Sequence, residues 1–239
     1  MEIVPGIRRI GPGMANSYLL EESGEITIVD TGMPGYWKAL PAELAAMGRS
    51  LDDVRAVLLT HAHSDHTGFA ERIRRTRGTP VLIHEADALL AQGKATTRRS
   101  MGTIRIGALL RFFAYAARNG ALSRVPPIAE VATFGDGATL DVPGSPRVIH
   151  LPGHTAGSAA LHVTSRDALF VGDAFVTLNV LSGETGPLVG PFNADTEQTY
   201  ASLARLERVQ AGLALPGHGQ PWTEGIAAAL ERIRARSDA

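Results

Sequence analysis

Cysteine is absent from the 239 residues, which excludes disulfides, thiolate metal ligands and cysteine nucleophiles together. Any bound metal must therefore sit on nitrogen and oxygen. A surplus of charge is lacking too. The 23 basic and 24 acidic residues leave a formal net charge of −1, so the whole molecule has no general attraction for nucleic acid or an anionic membrane, and any such affinity must be local. No uncharged run approaches a membrane span, and the opening MEIVPGIRRIGPGMANSYLL places charges and prolines where a secretion signal needs an apolar stretch. The expectation is a soluble, cytoplasmic protein with a small-molecule substrate and neither nucleic acid nor membrane as partner. Low-complexity linkers are missing as well, and 44% hydrophobic residues suffice for a buried core, so residues 1–239 are expected to form one domain.

What is present is an α/β pattern. Short apolar runs at Asn16–Leu20, Glu25–Asp30, Val54–Thr60 and Pro80–His84 predict strands, with helical stretches at Gly35–Met47 and Phe69–Thr76 between them. Residues 88–129 break the pattern. They hold Lys94, Arg98, Arg99, Arg105, Arg111, Arg118 and Arg124, no acidic residue, and the apolar helical run ALLRFFAYAA, which reads as an inserted helical lid. Strand signals return at 138–140, 146–151, 158–164 and 167–173, followed by a helix over Thr196–Gln210, a strand at Leu213–Leu215 and a closing helix over Gly225–Arg236.

The chemistry concentrates in Thr60-His61-Ala62-His63-Ser64-Asp65-His66-Thr67-Gly68, three imidazoles and a carboxylate within six residues at the end of an apolar strand. Residues i and i+2 leaving a strand point the same way, so His61 and His63 suit one ion, while the turn that follows swings Asp65 and His66 toward a second position. Two ions need more ligands. Candidates occur in loops after three later apolar strands: His154 in Pro-Gly-His, Asp173 in Val-Gly-Asp, and His218 in a second Pro-Gly-His. Each is flanked by glycine, which lets the backbone turn sharply near an ion. His84, His150 and His162 lack partner spacing and read as ordinary polar residues in or beside strands, with His84 a candidate for the pocket lining.

These residues resemble the metallo-β-lactamase superfamily, whose HxHxDH motif and later His, Asp and His are all matched, from about Asn16 to His218. The resemblance implies a four-layer αβ/βα sandwich of the α/β (α+β) class. It assigns His61, His63 and His154 to a first metal, Asp65, His66 and His218 to a second, and Asp173 to both, with Asp30 of Ile-Val-Asp-Thr-Gly behind the metal loop. The cofactor expected is a pair of divalent ions, zinc first and manganese or iron next. Two such ions about 3.5–4 Å apart lower the pKa of a shared water toward about 7 and make hydroxide the nucleophile. Asp65 is the candidate catalytic proton acceptor.

Fold does not fix substrate. Asp173 stands where β-lactamases of the superfamily usually carry Cys or Ser. The segment after it, Ala-Phe-Val-Thr-Leu-Asn, lacks the Tyr common in the family's lactonases, and the chain runs only 21 residues beyond His218, too few for the glutathione-binding region of glyoxalase II. The expectation is a binuclear hydrolase of the glyoxalase II-like group that cleaves an ester, thioester or lactone. The alternatives are an iron-dependent persulfide dioxygenase using His61, His63 or an equivalent, His154 and Asp173, a β-lactamase or phosphodiesterase, and, last, a non-enzymatic metal-binding module. Arg98, Arg99 and Arg105 are candidate contacts to an anionic substrate, and Leu109, Leu110, Phe112, Phe113 and Tyr115 form the apolar side of a candidate homodimer contact.

Overall fold

The structure, a computed structural model, describes residues 1–121 and 125–237. Among them, seven strands form one sheet in chain order: β1 (Glu2–Val4), β2 (Ile7–Ile10), β3 (Ser17–Glu22), β4 (Glu25–Val29), β5 (Val54–Leu59), β6 (Val81–His84) and β7 (Ala132–Phe134). The first four pair antiparallel and β4 to β7 pair parallel. The three parallel steps need crossovers: α1 (Leu40–Ala45) lies in that from β4 to β5, α2 (Ala70–Arg77) in that from β5 to β6, and residues 85–131 make the step from β6 to β7. A second sheet begins with β8 (Arg147–His150), β9 (Ala159–Val163) and β10 (Ala168–Gly172). After a separate hairpin of β11 (Val176–Leu178) and β12 (Thr185–Leu188), β13 (Leu213–Pro216) completes that sheet beside β10.

Strand periodicity divides the interior into three cores. In β5, Val57 and Leu59 face one side with Leu19, Ile28, Leu44 and Ile73, whereas Leu58 between them faces Tyr18, Val148, Leu161 and Phe170. The middle cluster thus lies between the two sheets. A third joins the outer face of the second sheet to Leu203 and Leu206 and to Ile226, Leu230 and Ile233 of α6 (Gly225–Ser237). Helix, sheet, sheet, helix is the four-layer arrangement expected.

Several local expectations need correction. Residues 138–140 form no strand, only a bridge from Thr139 to Arg147, because the chain turns at Gly137 and again at Val142–Ser145. The helix expected over Thr196–Gln210 stops early. Asp195 caps α5 (Thr196–Ser202) through the Gln198 amide at 2.9 Å, and a single 3-10 turn, Leu203–Leu206, follows. Gly35–Met47 divides into a 3-10 turn and α1, with Pro41 in the first turn of the latter.

Residues 88–129, expected to form a helical lid, hold two helices, α3 (Ala88–Ala91) and α4 (Ile106–Arg118). Between them the backbone is irregular and is tied down by a bridge from Ser100 to Asn193 and by the Arg105 amide on the Leu181 carbonyl. Arg124, one of its seven basic residues, lies outside the described residues. Among the described residues no helix is long and apolar enough to cross a membrane.

Candidate metal centre

The strand ends deliver the site. β5 hands directly into the loop carrying His61, His63, Asp65 and His66, while β10 ends beside Asp173, β13 ends beside His218, and the loop between β8 and β9 carries His154. These side chains come from both sheets and meet at one edge of the sandwich. Potential ligand atoms gather in three overlapping groups, each within 4.8 Å: His61, His63 and His154; His61, His66 and Asp173; Asp65, His66 and His218. All seven residues that the sequence singled out are in these groups, and Asp173 lies between the other two sets, with Oδ2 3.5 Å from His154 Nε2 and 3.1 Å from His218 Nε2.

The glycines of the two Pro-Gly-His loops have identifiable work. A Cβ at Gly217 would collide with Asp173 Oδ1 and the His66 ring, and at Gly153 (φ 133°) it would run into the Thr199 backbone. Larger residues would push the ligand loops apart.

A second set of groups fixes the rings. Asp30 Oδ2 accepts from His66 Nδ1 at 2.8 Å, and the same carboxylate accepts from the Thr60 amide and hydroxyl, both at 2.8 Å. Asp30 therefore fixes both the turn and a ring. His154 Nδ1 donates to Asn193 Oδ1 at 2.9 Å, and His218 Nδ1 to the Met14 carbonyl. Each such bond orients an imidazole and leaves its Nε2 for the centre.

Sequence reasoning missed Asn193 and Asp87. Asp87 is 1% exposed and accepts from the Ala62 amide (2.9 Å), the Thr155 hydroxyl (2.7 Å) and the Gly157 amide (2.8 Å), so it clamps the His61–His66 loop to the His154 loop. Its signal was an acidic residue three positions past the end of β6.

The chemistry of this donor set fits divalent cations. His61 Nε2, His63 Nε2, His66 Nε2 and Asp173 Oδ1 are buried without a hydrogen-bond partner, an arrangement that costs free energy unless something positive meets the cluster. His61 and His63 have pKa values well below the ordinary range, through burial first and then repulsion among the rings, and burial lowers His154 as well. They are neutral and present lone pairs at pH 7. Around the second set the carboxylates prevail. Burial works against charge there, yet Asp173 and Asp30 raise His66 well above its usual value, and Asp173 and Asp65 raise His218 to about 10. Burial also opposes charge on Asp173 and Asp65, but His218 and His66 hold both carboxyls below the usual range. The field here calls for positive charge, which protons supply and divalent ions would supply by displacing them.

The arginines expected to meet substrate part company. Arg99 lines a 160 Å³ pocket with Ala62, Ser64 and Thr67, close enough for its charge to lower the pKa of His63. Arg98 and Arg105 are exposed, and among the described residues no contact ties their side chains to the ligands. His84 is not in the ligand groups. It stacks on His150 with centroids 4.0 Å apart and planes at 10°, so these two histidines partner each other. His162 is half-buried and its Nε2 meets the Gln210 carbonyl at 3.2 Å.

Residues 10–218 match the family model of the metallo-beta-lactamase superfamily. The chain belongs to this superfamily. YobT of Bacillus subtilis is 31% identical over 161 residues, 67% of this chain and 61% of that protein. YflN of the same organism, described as a probable metallo-hydrolase, is 25% identical over 234 residues, 93% of this chain and 87% of its own. Among solved structures, TTHA1623 in a di-iron-bound form aligns with a TM-score of 0.62 and 29% identity, covering 93% of this chain and 96% of that one. The metallo-hydrolase relatives and the His/Asp cluster together support a metal-dependent hydrolase.

Proposed function

We propose that this superfamily member is a binuclear hydrolase that cleaves an ester, thioester or lactone. The observation that carries the reading is the convergence of seven donors, with the Asp65, His66 and His218 group alongside His61, His63 and His154 and with Asp173 between them. Such a set suits two ions, zinc first, with manganese or the iron found in TTHA1623 also compatible. A mononuclear iron dioxygenase would leave the second group idle. Bound there, two divalent ions supply a water acidified toward neutral pH and a Lewis acid for charge that develops on the substrate oxygen.

The chain's own residues supply the rest. Asp30, Asn193 and the Met14 carbonyl hold three imidazoles in place before substrate arrives. Asp65 alone of the seven is partly exposed, its side chain 20% accessible with Oδ2 3.4 Å from His218 Nε2. It is therefore placed to take the proton released as water adds to the acyl carbon and to pass it to the departing alcohol or thiol. The test is elemental analysis of protein purified without added metal or chelator, followed by neutral esters, thioesters, lactones, β-lactams and phosphodiesters. About two ions per chain with acyl turnover supports the reading. A single iron with consumption of oxygen overturns it.

A further inference from the structure

A groove of about 510 Å³ lies beside His218, lined by its chain neighbour Gly219 and by Met14. Its volume is in the range of small-molecule sites, roughly 300–1,000 Å³. Met14, Leu178, Pro221 and Trp222 supply apolar wall, and Arg111 of α4 reaches in from the insertion. The groove and the centre share backbone. Met14, whose carbonyl holds His218 Nδ1, lines it, as do Gly219, next to His218, and Thr177, whose amide donates to the His218 carbonyl at 3.0 Å.

Arg111 is the one formally charged side chain among the polar groups in this wall. Its guanidinium packs at Gly183, where an added Cβ would lie 3.5 Å from an Arg111 terminal nitrogen, and it has no hydrogen bond or ion pair among the described residues. An arginine without a partner beside apolar wall matches a ligand with an apolar stretch and one anionic group, since guanidinium binds a carboxylate through two parallel hydrogen bonds. Helix geometry supports the placement. Ala108, Phe112, Tyr115 and Ala116 turn inward while Ile106, Leu110 and Phe113 are exposed, and Arg111 falls at the boundary between these faces.

We propose that this groove binds the acyl part of the substrate and that Arg111 selects acyl groups ending in a carboxylate. The preferred substrates are then half-esters or half-thioesters of medium-length dicarboxylic acids. This rests on the acyl-hydrolase reading above, and the experiment separates the two. The N-acetylcysteamine thioester of octanoate, which is neutral, and the mono-thioester of suberate, which keeps a terminal carboxylate, are compared on the wild type, Arg111→Gln and Arg118→Gln. The last removes an exposed arginine of the same helix that does not line the groove.

The expected result is at least a tenfold higher kcat/KM for the suberoyl thioester, lost in Arg111→Gln and kept in Arg118→Gln. Turnover with no preference, or with the same preference in Arg111→Gln, overturns the groove assignment and leaves the hydrolase standing. Failure of every thioester, ester and lactone overturns the hydrolase. Trp222 fluorescence in a Trp37→Phe background then still decides the groove. Tenfold tighter binding of suberate than octanoate, abolished by Arg111→Gln, supports the assignment, and equal binding refutes it.

Discussion

Residues 60–66 and residues 94–118 both crowd nitrogen-rich side chains into a short stretch, and they treat them in opposite ways. In the first, His61 and His66 are buried and each has its Nδ1 near an oxygen of Thr60 or Asp30. In the second, Arg98, Arg105, Arg111 and Arg118 are exposed and their guanidinium groups have no hydrogen-bonded or ion-paired partner among the described residues, while Ile106, Leu110 and Phe113 stand 54–75% exposed. The difference teaches a division of labour. Ligands to an ion must be fixed before it arrives, because displaced donors lose most of their value, whereas a surface that recognises substrate keeps its hydrogen bonds in reserve.

The sharpest break of this contrast is Asp65→Ala, which removes a candidate ligand and the proposed proton acceptor. Its kcat is expected to fall by about 10²–10⁴ while circular dichroism stays unchanged, and near-normal turnover would refute the role given to it. Next comes Asp87→Ala, which leaves two amides and a hydroxyl unpaired between the two ligand loops. It should cost about 3 kcal/mol in urea unfolding, whereas Arg118→Gln on the insertion should stay within about 0.5 kcal/mol. Asn193→Ala frees the His154 ring and should weaken metal binding by about 10–100-fold in a competition titration with a chromophoric chelator.

The smallest effect is in pH. Burial and the stacked His150 hold His84 below its ordinary value of 6.5. Above 6.5 neither state binds the proton and this contribution to stability is complete. Below it the unfolded chain takes up a proton that the folded protein refuses, so stability falls as pH drops toward the folded value. Thermal midpoints measured from pH 8 to 5.5 should fall less steeply in His84→Gln than in the wild type, and identical slopes would discount His84.

Much of the candidate donor cluster was legible because strand-end chemistry is local. A donor just past an apolar run can be read without knowing what packs where: His61, His63, Asp65 and His66 crowd into six residues just past β5, and His154, Asp173 and His218 each sit beside glycine in a loop after a later strand. Asn193 does not. It precedes α5 in a loop with no motif, and only the folded chain brings it to His154, 39 residues away. The stacking of His84 on His150 was equally invisible, since the two lie on strands of different sheets. Helix lengths went wrong where apolar periodicity continued past the point at which the backbone tightened, as after Ser202.

By itself the sequence determined the α/β class, the absence of sulfur ligands and the types and spacing of the donors, because composition and short-range periodicity are properties of the chain before it folds. Tertiary structure alone decided which donors share a centre, which side chains hold their rings, and that Arg111 rather than Arg98 or Arg105 reaches the groove beside His218. Those facts depend on how two sheets and α4 pack. Such packing is set by contacts between residues far apart in sequence, which no local window contains.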